Sequence, residues 1–360
     1  MLFRSITANE GEPISNELIY GSIVGAKVDE DGIGLQGATI GLFHADEKEF
    51  NMDTAIKTAV SDEDGGFAFN QIPYGNWVIR EIESPAGYVL TDAIVPVTIA
   101  EDGVVLEIQL TNTRIRGNVQ LTKVDANYPD NKLAGAVFEL YADINENGKL
   151  DSEDELLGML TELSDGVYQT NDLLYGSYLV KEKTAPVGFY LDPNAYAFQI
   201  IENGVTVIVE NEAGKGFINN AQTGSIRIEK TSEDKVVKGF TFKVEGTDIT
   251  GQPFSKQYVT DENGEIRIEG LRVGDYVISE VANEATEKYE LPPDVTVTVL
   301  EGKTTVAKFH NKLIPEVPDV PKTGDESKTG LWGALALISV AGAGVTAYLA
   351  FGKKHRKENK

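Results

Sequence analysis

The chain has 360 residues, with 57 acidic and 32 basic side chains and a formal charge of −25. So acidic an exterior excludes nucleic acid and anionic membrane surfaces as partners, because both need a cationic face. At 41 % hydrophobic residues the chain is too apolar to stay unfolded. It has no cysteine, so its domains stand unaided or are stapled by some crosslink other than a disulfide.

Residues 1–16 form an N-terminal segment without an apolar core of signal-peptide length. From there to residue 312 the chain is built of short alternating segments such as Val119–Lys123, Ile226–Lys230 and Val295–Val299. Gly, Asp and Asn turns separate them, as at Asp64-Gly65-Gly66 and Glu262-Asn263-Gly264. This all-β pattern recurs with a period of about 100 residues and predicts three tandem Greek-key β-sandwiches, over 17–113, 114–220 and 221–312. Gly21, Gly117 and Gly224 each stand six positions before a lysine, Lys27, Lys123 or Lys230. Asn112 and Asn219 each stand five before the next glycine, and Asn311 closes the third copy in matching context. One glutamate lies in a strand of each copy: Trp77-Val-Ile-Arg-Glu81, Tyr178-Leu-Val-Lys-Glu182 and Tyr276-Val-Ile-Ser-Glu280. The first copy is the least regular, since Gly25 interrupts the apolar face leading to Lys27 and Glu83 competes with Glu81.

The second copy carries an insertion in which Asp143, Asn145, Asn147, Asp151 and Asp154 fall at calcium-loop spacing, with Gly148 at the sixth position. It reads either as a Ca²⁺ site closed by Asp154, as in dockerin-type loops, or as an acidic surface turn. A Pro-rich linker, 313–330, then holds Val320-Pro321-Lys322-Thr323-Gly324 in extended chain. The uncharged apolar run 331–351 is long enough, at about 21 residues, for a transmembrane helix. The basic tail 352–360 belongs on the cytoplasmic side, which puts the β domains outside the cell.

Strand phase adds a chemical expectation. Side chains at i, i+2 and i+4 share one face, so Lys123 lies with Leu121 and Val119, Glu182 with Val180 and Tyr178, and Asn219 with Phe217. Lys27, Glu81 and Asn112 form the corresponding set in the first copy, and Lys230, Glu280 and Asn311 in the third. Burying such groups is costly unless they meet. Desolvation would leave the lysine a neutral amine and the glutamate a protonated acid that donates to the Asn carbonyl and shuttles a proton. Attack on the amide carbon then expels ammonia and leaves a Lys–Asn isopeptide bond. Surface ion pairs of little consequence are the alternative. No cofactor is required.

The copies resemble collagen-adhesin B-type domains, also called prealbumin-like or SpaA-like pilin domains, which form such bonds autocatalytically. Glu182-Lys-Thr-Ala-Pro186-Val-Gly188-Phe-Tyr190 and Glu81-Ile-Glu-Ser-Pro85-Ala-Gly87-Tyr88 carry the family's glutamate box. The third copy departs, because Glu280 runs into Val-Ala-Asn-Glu-Ala. The resemblance implies crosslinks Lys27–Asn112, Lys123–Asn219 and Lys230–Asn311, promoted by Glu81, Glu182 and Glu280. The three-part ending resembles the sorting signal of Gram-positive surface proteins, which a sortase cleaves between Thr323 and Gly324 before joining the Thr to a peptidoglycan or pilus-subunit amine. Val320 stands where the family usually has Leu. Such a protein needs export, so a start inside a longer gene product is expected; Asn16, five before Gly21, has the phase of a preceding domain's terminal Asn, the alternative and commoner case being a lone Asn in a linker. Tyr128-Pro129-Asp130 lacks the polymerising lysine of major pilins. The function implied is a wall-anchored stalk or pilin-related subunit; the alternative is an adhesin that binds a host-surface or matrix ligand. An enzyme is not indicated, as His44, His310 and His355 are scattered and no nucleophile–base motif occurs.

Overall fold

Alternation of apolar and polar residues decides the architecture. In Arg116–Asp125 and Thr223–Ser232 every second side chain is buried, and Tyr20–Asp29 follows the same rhythm. Each strand therefore presents one face to a core. The computed structural model describes residues 3–4 and 17–315. Met1–Lys312 groups as one unit and Leu313–Lys360 as a second, of which only residues 313–315 are described.

Each copy is two facing sheets. In domain 1, Tyr20–Asp29 lies between Gly66–Pro73 and Val105–Asn112, while the other sheet runs Lys57–Val60, Thr39–His44, Gly75–Glu83, Val95–Ile99. Domain 3 repeats this with Thr223–Ser232 between Glu265–Arg272 and Thr304–Leu313. Each sandwich has its own core, built on Ile40, Leu42 and Ile79 in the first, Phe138, Val180 and Phe217 in the second, and Phe242, Val244 and Ile278 in the third. Among the described residues the helical content is one three-residue 3₁₀ turn, Glu284–Thr286. It lies where the third copy departs from the glutamate box.

The leading and closing strands of every domain are parallel neighbours in one register. Lys27 lies opposite Leu110, Lys123 opposite Phe217 and Lys230 opposite Phe309. The Asn two residues further on then shares the lysine's face, as the period of two requires. Domain 2 reaches this register differently. Its closing strand is split into Thr206–Ile208 and Phe217–Asn219, and the separation between facing partners grows from 88 at Asn118–Thr206 to 94 at Lys123–Phe217. The intervening residues loop out and leave the Lys123–Asn219 end aligned.

Gly25 is not a flaw in the first domain. A Cβ there would lie 2.0 Å from Cζ of Phe67, so this ring fills the space above the glycine and completes the apolar face. Glu83 is exposed and accepts the Thr39 hydroxyl at 3.1 Å, which leaves the interior to Glu81. No helix among the described residues is long and apolar enough to cross a membrane. The predicted span 331–351, the motif 320–324 and the basic tail lie outside the described residues.

Candidate functional site

All nine Lys, Glu and Asn side chains singled out by strand phase are 7 % exposed or less. The lysine comes from the leading strand, the asparagine from the closing strand and the glutamate from the facing sheet, so the three converge across the core. In domain 1 Lys27 Nζ donates to Asn112 Oδ1 at 2.5 Å and stands 3.4 Å from Glu81 Oε1. Asn112 Nδ2 donates to the same carboxylate oxygen at 2.8 Å, and the Thr91 N–H donates to Oε2 at 3.1 Å. In domain 2 Lys123 Nζ lies 3.4 Å from Glu182 Oε1 and donates to the Phe217 carbonyl at 3.2 Å. Asn219 Nδ2 reaches both Glu182 oxygens at 2.9 Å, and the Asp192 N–H donates to Oε2 at 2.9 Å. The Lys123 ammonium also sits 4.8 Å from the Phe217 ring centroid, a cation–π contact in a desolvated site.

The glutamate thus contacts the amide nitrogen, which would be the leaving group of the expected reaction, rather than the carbonyl oxygen expected of a protonated carboxyl. A carboxylate placed between Nζ and Nδ2 can take a proton from the first and deliver it to the second.

Domain 3 is arranged differently. Asn311 Nδ2 donates to Glu280 Oε1 at 2.7 Å. Lys230 Nζ donates to the Thr231 carbonyl at 2.8 Å and lies 4.1 Å from the Phe240 ring. Glu280 Oε2 and Asn311 Oδ1 are buried without hydrogen-bond partners. The missing partner of Oε2 traces to sequence. In the first two domains the chain beyond the Pro-x-Gly-aromatic box returns an N–H to the second glutamate oxygen, and the third copy has no such box.

Electrostatics follow burial. Desolvation lowers the Lys27 and Lys230 pKa, against the attraction of Glu81 and Glu280. It pushes Lys123 down to about 8, against Glu182. Desolvation raises the Glu280 pKa, opposed by the Asn311 hydrogen bond and Lys230. The amines are shifted toward the nucleophilic form.

The five residues of the acidic insertion share one loop, but their oxygens serve that loop. Asp143 accepts the N–H groups of Asn147 and Gly148 at 3.1 and 2.8 Å, Asp151 accepts both Asn145 and Asn147 side-chain amides, and Asp154 accepts the Ile144 and Asp151 N–H groups. Among the described residues no group of three or more His, Cys, Asp or Glu converges as a metal site.

Three buried acids escaped the sequence reading: Asp29, Asp125 and Asp248, the last with Oδ2 3.5 Å from Arg272. Asp29 and Asp125 each lie two residues after the buried lysine of their domain and are almost fully buried. Asp29 is gripped by Arg114, and Asp125 takes Arg272 in a two-pronged pair at 2.5 and 2.7 Å. A recurring Lys-x-Asp was the available signal for Asp29 and Asp125.

The SpaA prealbumin-like fold domain matches residues 21–114, 117–215 and 224–313. The chain belongs to this family. Serine-aspartate repeat-containing protein D of Staphylococcus aureus (strain Newman) is 25 % identical to this SpaA-type chain over 315 residues, covering 79 % of the chain and 22 % of that protein. The chain therefore spans under a quarter of the length of this relative. Among solved structures, the Bacillus anthracis TIE protein aligns with a TM-score of 0.61 at 23 % identity, over 82 % of this chain and 51 % of that one, a likeness of fold. BcpA, the major pilin subunit of Bacillus cereus, aligns at a TM-score of 0.41 and 16 % identity, over 82 % of this chain and 99 % of that one.

Proposed function

We propose that the protein is a cell-surface stalk, or pilin-related subunit, whose three SpaA-type domains each close a Lys–Asn isopeptide bond. The observation that carries this reading is the meeting of a buried Lys–Glu–Asn set with the parallel, in-register leading and closing strands. The neutral lysine amine attacks Cγ of the asparagine; glutamate takes a proton from Nζ and passes one to Nδ2. The C–N bond to Nδ2 breaks, ammonia departs, and glutamate ends as it began. In domain 3, turning the Lys230 ammonium from Thr231 toward Asn311 would supply donors to both orphaned acceptors.

The mechanical consequence follows from topology. A pull enters domain 1 at the start of Tyr20–Asp29 and leaves at Asn112, the end of its parallel neighbour. With Lys27 joined to Asn112, the load crosses the covalent bond and bypasses every residue between them. Three such domains in series suit a load-bearing stalk. Outside the described residues, the sequence from Val320 to Lys360 fits sorting: membrane retention through 331–351, sortase cleavage after Thr323, and transfer to a peptidoglycan or pilus-subunit amine at the cell wall. The Asp143–Asp154 loop is proposed to take Ca²⁺ on the strength of its ligand spacing.

Peptide mapping tests the central step. After tryptic digestion, the peptides holding Lys123 and Asn219 should travel as one branched species, lighter than their sum by about 17 Da. Two unlinked peptides of full mass would overturn the proposal.

A further inference from the structure

The two junctions between domains share one construction, and the leading end of domain 1 repeats its receiving half. At the first junction, Gly87 O accepts the N–H of Ile115 at 2.8 Å, the Val89 N–H donates to Thr113 O, and Tyr88 pairs with Arg114. Ile115 O in turn accepts the N–H of Tyr175, in a turn of domain 2. At the second, Gly188 O accepts the N–H of Gln222 at 2.8 Å, the Tyr190 N–H donates to Asn220 O, Phe189 pairs with Ala221, and Gln222 O accepts the N–H of Val273 in domain 3. The Pro-x-Gly-aromatic loop of one domain is thus bonded, through the linker, to the domain that follows. Both glycines have φ +85°, and a Cβ on Gly188 would lie 2.4 Å from Ile249 Cγ2 of domain 3. Glycine there serves both the backbone conformation and the close approach of the next domain.

Domain 3, whose sequence lacks this loop, ties the corresponding segment to itself. Asn283 caps the 3₁₀ turn and donates to Gly239 O and Thr241 Oγ1. It also has Ser232 where the first two domains bury an Asp that is paired with a junction arginine. Loop and buried acid therefore go with having a successor.

At the leading end of domain 1, Asn16 to Gly21 repeats the spacing of Asn112 to Gly117 and Asn219 to Gly224. Tyr74 N–H donates to Ile19 O at 3.0 Å, as Tyr175 does to Ile115 and Val273 to Gln222. Leu18 and Glu17 pair antiparallel with Phe3 and Arg4. That is the register in which Arg114 meets Tyr88 and Ala221 meets Phe189, so a two-residue strand stands where the loop of a preceding domain would. Beside it lies a hollow of about 510 Å³ lined by Leu18, Tyr20, Tyr74 and the stacked His44–Trp77 pair, with the first three each more than a third exposed.

We propose that this end of domain 1 is a docking face for a domain of its own kind in line ahead of it, held through that domain's Pro-x-Gly-aromatic loop. A second copy of the chain does not fit the role: its two loops already hold domains 2 and 3, and its third domain has none.

The test replaces residues 1–16 of the full chain by a copy of residues 17–112. The added copy carries Asp29→Ser, the residue of domain 3 at this position, so that no buried acid is left without Arg114. A matched chain carries residues 221–311 of domain 3 instead, a domain without the loop. Hydrogen exchange is read at the amides of Leu18, Ile19 and Tyr20, with the two natural linkers as internal references and the added domain's own amides reporting that it is folded. The loop-bearing chain should show exchange at these amides slowed by about tenfold or more relative to the loopless chain, toward the linker values. Equal rates in the two chains, fast or slow, would overturn the proposal.

Discussion

Replacing Glu182 by Gln removes the proton carrier from the site with the most lowered lysine and should leave domain 2 uncrosslinked. The magnitude has two parts. The proposed Lys123–Asn219 link would close a loop of about 100 residues, and the chain-entropy model assigns such a closure about 4–5 kcal/mol. The substitution also strips Lys123, fully buried, of the carboxylate 3.4 Å away. A lysine already pushed to about 8 meets this by remaining neutral, so the cost of an unpaired charge is largely avoided near and above that pH. A loss of about 4 kcal/mol in a domain of this size lowers its melting temperature by about 20 °C. The assay is differential scanning calorimetry of the full chain, in which domains 1 and 3 keep their own cores and serve as references. The double variant Lys123→Met, Glu182→Gln removes the charge together with the bond. It should melt near the single variant; if it regains the parent's melting temperature, the crosslink contributes nothing and the reasoning is refuted.

Three other expectations follow. Chain recovered unfolded and refolded at a series of pH values should close the Lys123–Asn219 link about tenfold more slowly per unit below pH 8, where the amine is protonated, and at a level rate above it. A rate independent of pH between 6 and 9 would contradict the role given to the neutral lysine. Arg272→Ala leaves Asp125 of domain 2 and Asp248 of domain 3 buried without their arginine and should destabilise the pair of domains by about 3–5 kcal/mol, whereas Arg272→Met with Asp125→Asn and Asp248→Asn should recover most of it in the same melts. Calorimetric titration with Ca²⁺ should saturate at one ion per chain and lose its heat in Asp151→Ala; no binding heat in the parent would make the 143–154 loop an acidic turn.

The core-facing lysines, glutamates and asparagines could be read from sequence because strand period two is local: once Phe217 is core, Asn219 must be too. Their meeting could not be read so directly, since it depends on parallel pairing between strands separated by most of a domain, and on a loop in domain 2 that restores the register. Gly25 looked like an interruption because the ring that fills its space, Phe67, comes from the neighbouring strand. The Pro-x-Gly-aromatic box was legible as a motif, yet its contact with the next domain needs Ile115 and Gln222 in place. The departure of the third copy showed as a missing pattern, and its physical effect, an unpartnered Glu280 Oε2, appears only in three dimensions.

The most direct measurement of the central claim is the intact mass of residues 15–312 produced recombinantly, alongside Glu81→Gln, Glu182→Gln and Glu280→Gln made separately. Three closed bonds remove about 51 Da from the parent, and each variant regains about 17 Da of that deficit. A parent at its full sequence mass would show that the buried lysines, glutamates and asparagines meet without reacting, and would contradict the covalent stalk.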